Sequence, residues 1–295
     1  MMVPMGPETQ SAASRLAVTS AAASGATTEI DVMVLYTNDV RDTAGGSAQV
    51  EAEIQANVDV ANVAFANSRV KASYRLVHAG PAPVNFQDDP QADSRLDDFS
   101  RDRDVQALRS HYGADLVALY VNELTSGRFG TSLCGIAVGN NMASPYGQAA
   151  HQFFDRSTCP DLFTYAHENG HLLGMSHDPD IDGPTSSNYY PFGFGHHVVG
   201  VFATMMSYAT IPYFSNPKIK FQGYATGIPN ERDNAQVATL NAAIIAAQSP
   251  PGIFDPPSTV APPAPSGLLA QALNPGQIRL VWVDGSSGSA QEDHF

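Results

Sequence analysis

HENGHLLGMSHD, residues 167–178, sets three histidines and one glutamate within twelve positions, with glycines between them. At about 100° per residue, an α-helix puts His167 and His171 one turn apart on a single face. Both imidazoles can then reach one ion at the roughly 2.0–2.1 Å that zinc–nitrogen bonds require. Glu168 follows the first histidine on a neighbouring flank, where it can meet a water rather than the ion. On an unbroken helix His177 would lie roughly 9 Å beyond His171 along the axis, too far to share a tetrahedral site. The helix must therefore end and the chain must swing back. Gly174 stands midway, where a left-handed residue closes a helix at little steric cost. The spacing His-Glu-x-x-His-x-x-Gly-x-x-His is thus a fold-back with a mechanical reason at each named position.

Outward from this stretch, DLFTYAHENGHLLG (161–174) reads as the helix that carries the pair, with Tyr165, Ala166, Leu172 and Leu173 among its apolar positions. TEIDVMVLYT (28–37), KASYRLVHA (71–79) and ADLVALYVNEL (114–124) read as strands. Residues 45–70 place Val50, Ile54, Val58, Val60, Val63 and Phe65 near helical spacing, which predicts a long helix. RDVQALRSHYG (103–113) predicts another helix, ending at Gly113. Strand, helix, strand, helix, strand over the first 125 residues is the pattern of an α/β layered domain. SLCGIAVGN (132–140) reads as a short strand and residues 178–200 as loop. A last helix is expected over 232–248, with Asp233 as N-cap. Residues 249–265 hold seven prolines and read as a stiff linker. Beyond them, 266–295 read as two alternating strands around the turn NPGQ, too few residues to bury a sandwich core.

Hydrophobic residues make up 43% of the 295, enough for a sizeable core. Fifteen Lys and Arg stand against 29 Asp and Glu, a formal net charge of -14 that argues against nucleic-acid binding. No run of 18 apolar residues predicts a membrane span. Residues 1–27 are expected to be a disordered leader or the remnant of a pro-segment, with no export signal visible in this chain. Cys134 and Cys159 are two cysteines, not a framework. One bridge closing a loop of about 25 residues, worth roughly 3 kcal/mol, and two buried thiols are both open readings. DPDIDG (178–183) reads as an Asx-rich turn, with calcium binding through its carboxylates as the alternative.

The stretch 167–178 resembles the elongated zinc motif of the metzincin metalloproteases, and Asp178 directly after the third histidine resembles the adamalysin, or reprolysin, branch. ATMMSYA (203–209) resembles the Met-turn of that clan, 29 residues beyond His177 at Met206; its Met-Ser-Tyr register nominates Met206 over Met205. IDVMVLYT, ANVAFANSRV, CGIAVGN, IPYFSNP and DNAQVATLNAAIIA are similar to a bacterial group of reprolysin-like zinc proteases that includes peptidyl-Asp metalloendopeptidases. The likeness covers roughly 28–248 and implies a metzincin-type α/β (α+β) domain: a mixed, twisted sheet, a long backing helix and an active-site helix. It also implies a Cys134–Cys159 disulfide, an oxidising compartment and secretion. In astacin- and serralysin-like relatives a tyrosine at the place of Tyr208 approaches zinc or the oxyanion. The tail resembles the first strands of a fibronectin type III domain.

The implied function is zinc-dependent endopeptidase activity: one zinc on His167, His171 and His177, and a zinc-activated water with Glu168 as general base. Gly174, Asp178 and Met206 are expected to support the site, and Tyr208 to assist at the oxyanion. Protein or peptide substrates are the expected partners, with no nucleic acid, no membrane insertion and a monomeric chain. One competing reading is a non-catalytic, zinc-stabilised binding or adhesion module; another is a hydrolase of small peptides in a closed cleft. The retained Glu168 argues against an inert module. An aspartate-directed pocket calls for a cation, yet no Lys or Arg lies between Asp178 and Tyr208, only His196 and His197. Tyr189, Tyr190, Phe192, Phe194 and Phe202 suggest an aromatic or apolar pocket instead.

Overall fold

The computed structural model describes residues 26–86, 92–122, 125–126, 131–132, 134–138, 148–152, 163–183, 190–249, 252, 266–274 and 277–283. Two compact units divide the chain, Met1–Ile253 and Phe254–Phe295. Within the first, five strands form one sheet: β1 (Thr28–Tyr36), β2 (Ala72–Pro81), β3 (Leu116–Val121), β4 (Gly135–Val138) and β5 (Gln148–Gln152). Their order is β2-β1-β3-β5-β4. β1, β2, β3 and β5 run parallel, and the edge strand β4 is antiparallel to β5, pairing Gly135 with His151. A mixed sheet of this kind is what the family resemblance implies.

Parallel strands need long crossovers, and helices supply them. α1 (Asn38–Ala44) and α2 (Ser47–Asn67) join β1 to β2; α3 (Ala92–Arg101) and α4 (Arg103–Tyr112) precede β3. On β1, Ile30, Val32, Val34 and Tyr36 enter one apolar cluster with Val50, Ile54, Val58, Ala61 and Phe65 of α2. The alternate residues Met33 and Leu35 are fully buried too, so both faces of this strand are covered. Each such side chain contributes about 1.5–3 kcal/mol by leaving water.

The long helix begins at Ser47, not Gly45, because Gly45 and Gly46 adopt φ of 94° and 137° and form the hinge after α1. α1, α3 and β5 are absent from the sequence reading. α1 buries only Val40, so it shows no apolar period; Thr37 starts it by accepting a hydrogen bond from the Val40 amide. Elsewhere the local signals hold. Gly113 ends α4 at φ 67°, and Asp233 caps α7 (Asn234–Ile245) by accepting from the Gln236 amide at 3.0 Å.

Two further helices complete the first unit: α5 (Thr164–Leu172), shorter than the predicted 161–174, and the four-residue turn α6 (Pro179–Asp182) inside the expected loop. Residues 161 and 162 lie outside the described residues. In the second unit β6 (Ser266–Asn274) pairs antiparallel with β7 (Gln277–Val283), Asn274 opposite Gln277. The linker 249–265 and the leader 1–27 lie almost wholly outside the described residues. Among the described residues no helix is long and apolar enough to cross a membrane.

Candidate metal centre

α5 runs beneath the sheet's β4 end with Tyr165, Ala166 and Leu172 in the core, which leaves His167 and His171 on its other face. The helix closes as the spacing predicts. Gly174 takes φ 89°, its amide bonds His171 O at 2.9 Å, and the Met175 amide bonds Gly170 O at 2.9 Å. This pair of bonds is a Schellman closure. The chain then runs past residues 193–195, where the Ser176 amide bonds Gly193 O and the Gly195 amide bonds Ser176 O, and it returns His177 to the pair.

The three imidazoles converge. Nε2 of His177 lies 2.8 Å from Nε2 of His167 and 2.9 Å from Nε2 of His171. Each ring is held from behind. Nδ1–H of His167 donates to Met205 O at 2.8 Å, Nδ1–H of His171 to Met175 O at 3.1 Å, and Nδ1–H of His177 to Asp182 Oδ2 at 2.5 Å. Acceptors behind all three rings assign the proton to Nδ1 and leave each Nε2 with a lone pair. Lone pairs at that separation repel, and a cation among them converts the repulsion into coordination. Burial holds His167 down to about 4, with the neighbouring His177 adding to the effect, and holds His171 well below the usual histidine range. It lowers His177 as well, against the pull of Asp182. Neutral imidazoles are what a metal requires. Among the described residues these three histidines are the one group gathered to hold an ion. Their donor set fits zinc, three nitrogens with a further position left for water or substrate.

Glu168 is buried beside the cluster but is not part of it. Burial pushes its carboxyl up to about 8. It lies against the backbone of Gly135 on β4: a Cβ at that glycine would sit 2.6 Å from Glu168 Cγ and 2.7 Å from Oε1. Met205–Ser207 form a 3-10 turn below α5. Met206 is fully buried, and a Cβ at Gly170 would lie 2.6 Å from its sulfur, so the glycine lets the helix sit close against the turn without displacing the Met206 side chain. Met205 contributes its carbonyl to His167, and Met206 O accepts the Asp178 amide at 3.0 Å.

Asp178 is 0% exposed and does not face the cluster. Its carboxylate accepts from His197 Nδ1 (2.8 Å), Ser207 Oγ (3.2 Å), the Asp180 amide (3.0 Å) and the guanidinium of Arg232. Burial pushes this carboxyl up, but His197, the Asp180 amide and Arg232 together outweigh it and hold the group below its usual range. Tyr208 sits at φ 56° with its ring 5.6 Å from the His177 ring and 6.0 Å from that of His167. Its hydroxyl donates to Asp182, 3.0 Å from Oδ2 and 3.2 Å from Oδ1.

DPDIDG is therefore no open carboxylate cage. Asp178 and Asp180 pair with Arg232, and Asp182 pairs with His177 and Tyr208. Of the aromatic residues expected to line a pocket, Phe202 is buried against His196 and Phe221, and Tyr190 and Phe192 pack on the core. Tyr189 lies outside the described residues. Cys134 is disulfide-bonded, and Cys159 lies outside the described residues. Sequence reasoning missed Asp182, Arg232, Gly135 and Gly170. A signal existed for the first alone, since Asp178-Pro179 starts a helical turn that ends at residue 182.

Residues 26–231 match the model of Metallo-peptidase family M12B Reprolysin-like. A peptidyl-Asp metalloendopeptidase of Pseudomonas aeruginosa is 36% identical over 225 residues, 69% of this chain and 37% of that protein. One of the same name from Xanthomonas campestris pv. campestris is 30% identical over 77% of this chain and 53% of its own length. The chain thus spans between about a third and a half of these relatives. A solved structure titled "Structure of a chaperone-substrate complex" shares the fold, with TM-score 0.63 and 24% identity over 76% of this chain and 35% of that one. Because the family pattern runs through both the sheet and the histidine fold-back, the chain belongs to the reprolysin-like metallopeptidases of family M12B.

Proposed function

We propose that this chain is a zinc-dependent endopeptidase in which His167, His171 and His177 hold the metal and Glu168 moves the proton. The observation that carries this is the pairing of a convergent, neutral tri-histidine cluster with one buried carboxylate that stays outside it. When bound, zinc supplies Lewis acidity, polarising a scissile carbonyl and easing the loss of a proton from water. A bound dication beside it would favour the ionised form of Glu168 against its burial; the carboxylate then takes the proton of the attacking water on one oxygen and returns it to the leaving nitrogen. Its contact with β4 brings it to the strand edge along which an extended peptide can pair through its backbone. Met206 underpins the helix, and Asp178 ties the segment after His177 to the turn at Met205–Ser207. Tyr208 borders the cluster and is the candidate for a donor to the developing oxyanion.

The reading extends to an exported enzyme with a Cys134–Cys159 bridge, a catalytic domain over 28–248 and a fibronectin type III-like segment from 266. We do not extend the relatives' aspartate preference to it. Of the two histidines in the 178–208 segment, His197 is spent on Asp178, and Arg232 nearby is spent on Asp178 and Asp180. Digestion of a proteome-derived peptide library with and without a zinc chelator tests catalysis, metal dependence and specificity together. Glu168→Gln should retain zinc and lose hydrolysis; near wild-type cleavage by that variant, or undiminished cleavage in chelator, overturns the proposal.

A further inference from the structure

We infer that Asp182 is a positioning residue of the metal centre: one carboxylate orients the third histidine ligand and at the same time holds Tyr208 beside the cluster. The inference rests on the reading of the three histidines as the zinc site. His167 and His171 are steadied by backbone carbonyls, whereas the partner of His177 is a side chain, and a charged one. Its place is well determined. Asp178, fully buried and clamped by Arg232, caps the turn α6, and Asp182 is the last residue of that turn. The carboxylate thereby comes back to His177, the residue just before the cap. A carboxylate behind a ligating imidazole fixes its tautomer and raises its basicity; losing such a partner typically costs 10–100-fold in metal affinity.

Tyr208 completes the arrangement. It is 57% exposed, and its hydroxyl bond to Asp182 ties the ring to the turn that supports His177. That ring lies nearly parallel to His167, at 17°, and next to His177. One carboxylate thus couples the orientation of His177 to the position of Tyr208, whose ring lies beside the cluster.

The test uses the zinc-loaded chain with Asp182→Ala, Asp182→Asn, Tyr208→Phe and the Asp182→Ala/Tyr208→Phe pair. Zinc affinity is read by chelator competition, and kcat and KM are read separately. Asp182→Ala should weaken zinc 10–100-fold. Asp182→Asn keeps an acceptor for the His177 N–H and should recover most of that loss, while Tyr208→Phe should leave affinity within about twofold. In zinc-saturating buffer the kcat losses of Asp182→Ala and Tyr208→Phe should not multiply in the pair, because both break one bond. Melting temperature verifies that each variant is folded, and the asparagine variant preserves side-chain volume. Wild-type zinc affinity in both Asp182 variants, or multiplicative kcat losses, overturns the inference while leaving the zinc site intact. A wild-type chain that fails to bind zinc overturns the site itself.

Discussion

Gly135→Ala tests how closely the edge strand governs the proposed general base. An alanine Cβ at residue 135 would lie 2.6 Å from Glu168 Cγ, 2.7 Å from Oε1 and 2.9 Å from Cδ. Relaxed non-bonded contacts lie at about 3.5–4.0 Å, so one partner must retreat by about 1 Å. Strand β4 is held by pairing to β5, while Glu168 is the far part of a side chain, so the carboxylate should be the part that moves. Misplacing a reacting group by that distance costs on the order of 10²-fold in rate. The histidine cluster draws nothing from Gly135, so zinc content should stay stoichiometric. Stability should fall only by an overpacking cost of about 1–3 kcal/mol. Purified variant and wild type are to be compared for kcat, KM, bound zinc and melting temperature. If kcat stays within twofold while zinc and folding are unchanged, Glu168 does not depend on this contact. If KM rises and kcat holds, the strand has moved instead, and the reasoning about which partner yields is wrong.

Two other outcomes follow from groups away from the chemistry. Arg232→Met leaves the fully buried Asp178 carboxylate without its guanidinium, which should cost about 3–5 kcal/mol; the melting temperature should drop on the order of 10 °C, with part regained in Asp178→Asn/Arg232→Met, and a drop under about 2 °C would refute the clamp. Asp115 is buried, and burial raises its carboxyl to about 6, with the Asp31 charge adding while the Asp31 and Ser249 amides and Arg109 oppose. A folded pKa above the unfolded one means that the charged form costs stability above pH 6 and that this cost is relieved as pH falls towards 4. Relative to Asp115→Asn, the wild type should therefore lose about 2–3 kcal/mol between pH 4 and 7, and a urea-midpoint difference that stays flat across that range would contradict it.

What could be read in the sequence was local. The fold-back through Gly174 depends on helical rise and one left-handed residue, both properties of a few neighbouring positions, and the observed φ of 89° follows. The Asp233 cap and the Gly113 stop were legible for the same reason. β5 was not legible, because QAAHQ has neither an apolar run nor clean alternation, and its place is set by partners about 30 residues before it and immediately upstream. Gly135 and Gly170 escaped notice because a glycine that admits a distant side chain looks like any other glycine until that side chain is placed.

The acceptors behind the three histidines show the same division at the scale of single atoms. Met205 O and Met175 O are backbone oxygens. Any residue at those positions offers them, provided that the chain turns where it does, so the spacing and the Met-turn carry these bonds without naming them. The third acceptor is the side chain of Asp182, and only residue identity can supply it. The motif's spacing and the Met-turn together therefore specify two of the three histidine orientations through backbone geometry. The last depends on a clamp, Asp178 with Arg232, whose halves lie 54 residues apart. The third histidine's support thus rests partly on Arg232, far outside the motif, and substitutions there should alter the metal centre while leaving the recognisable motif untouched.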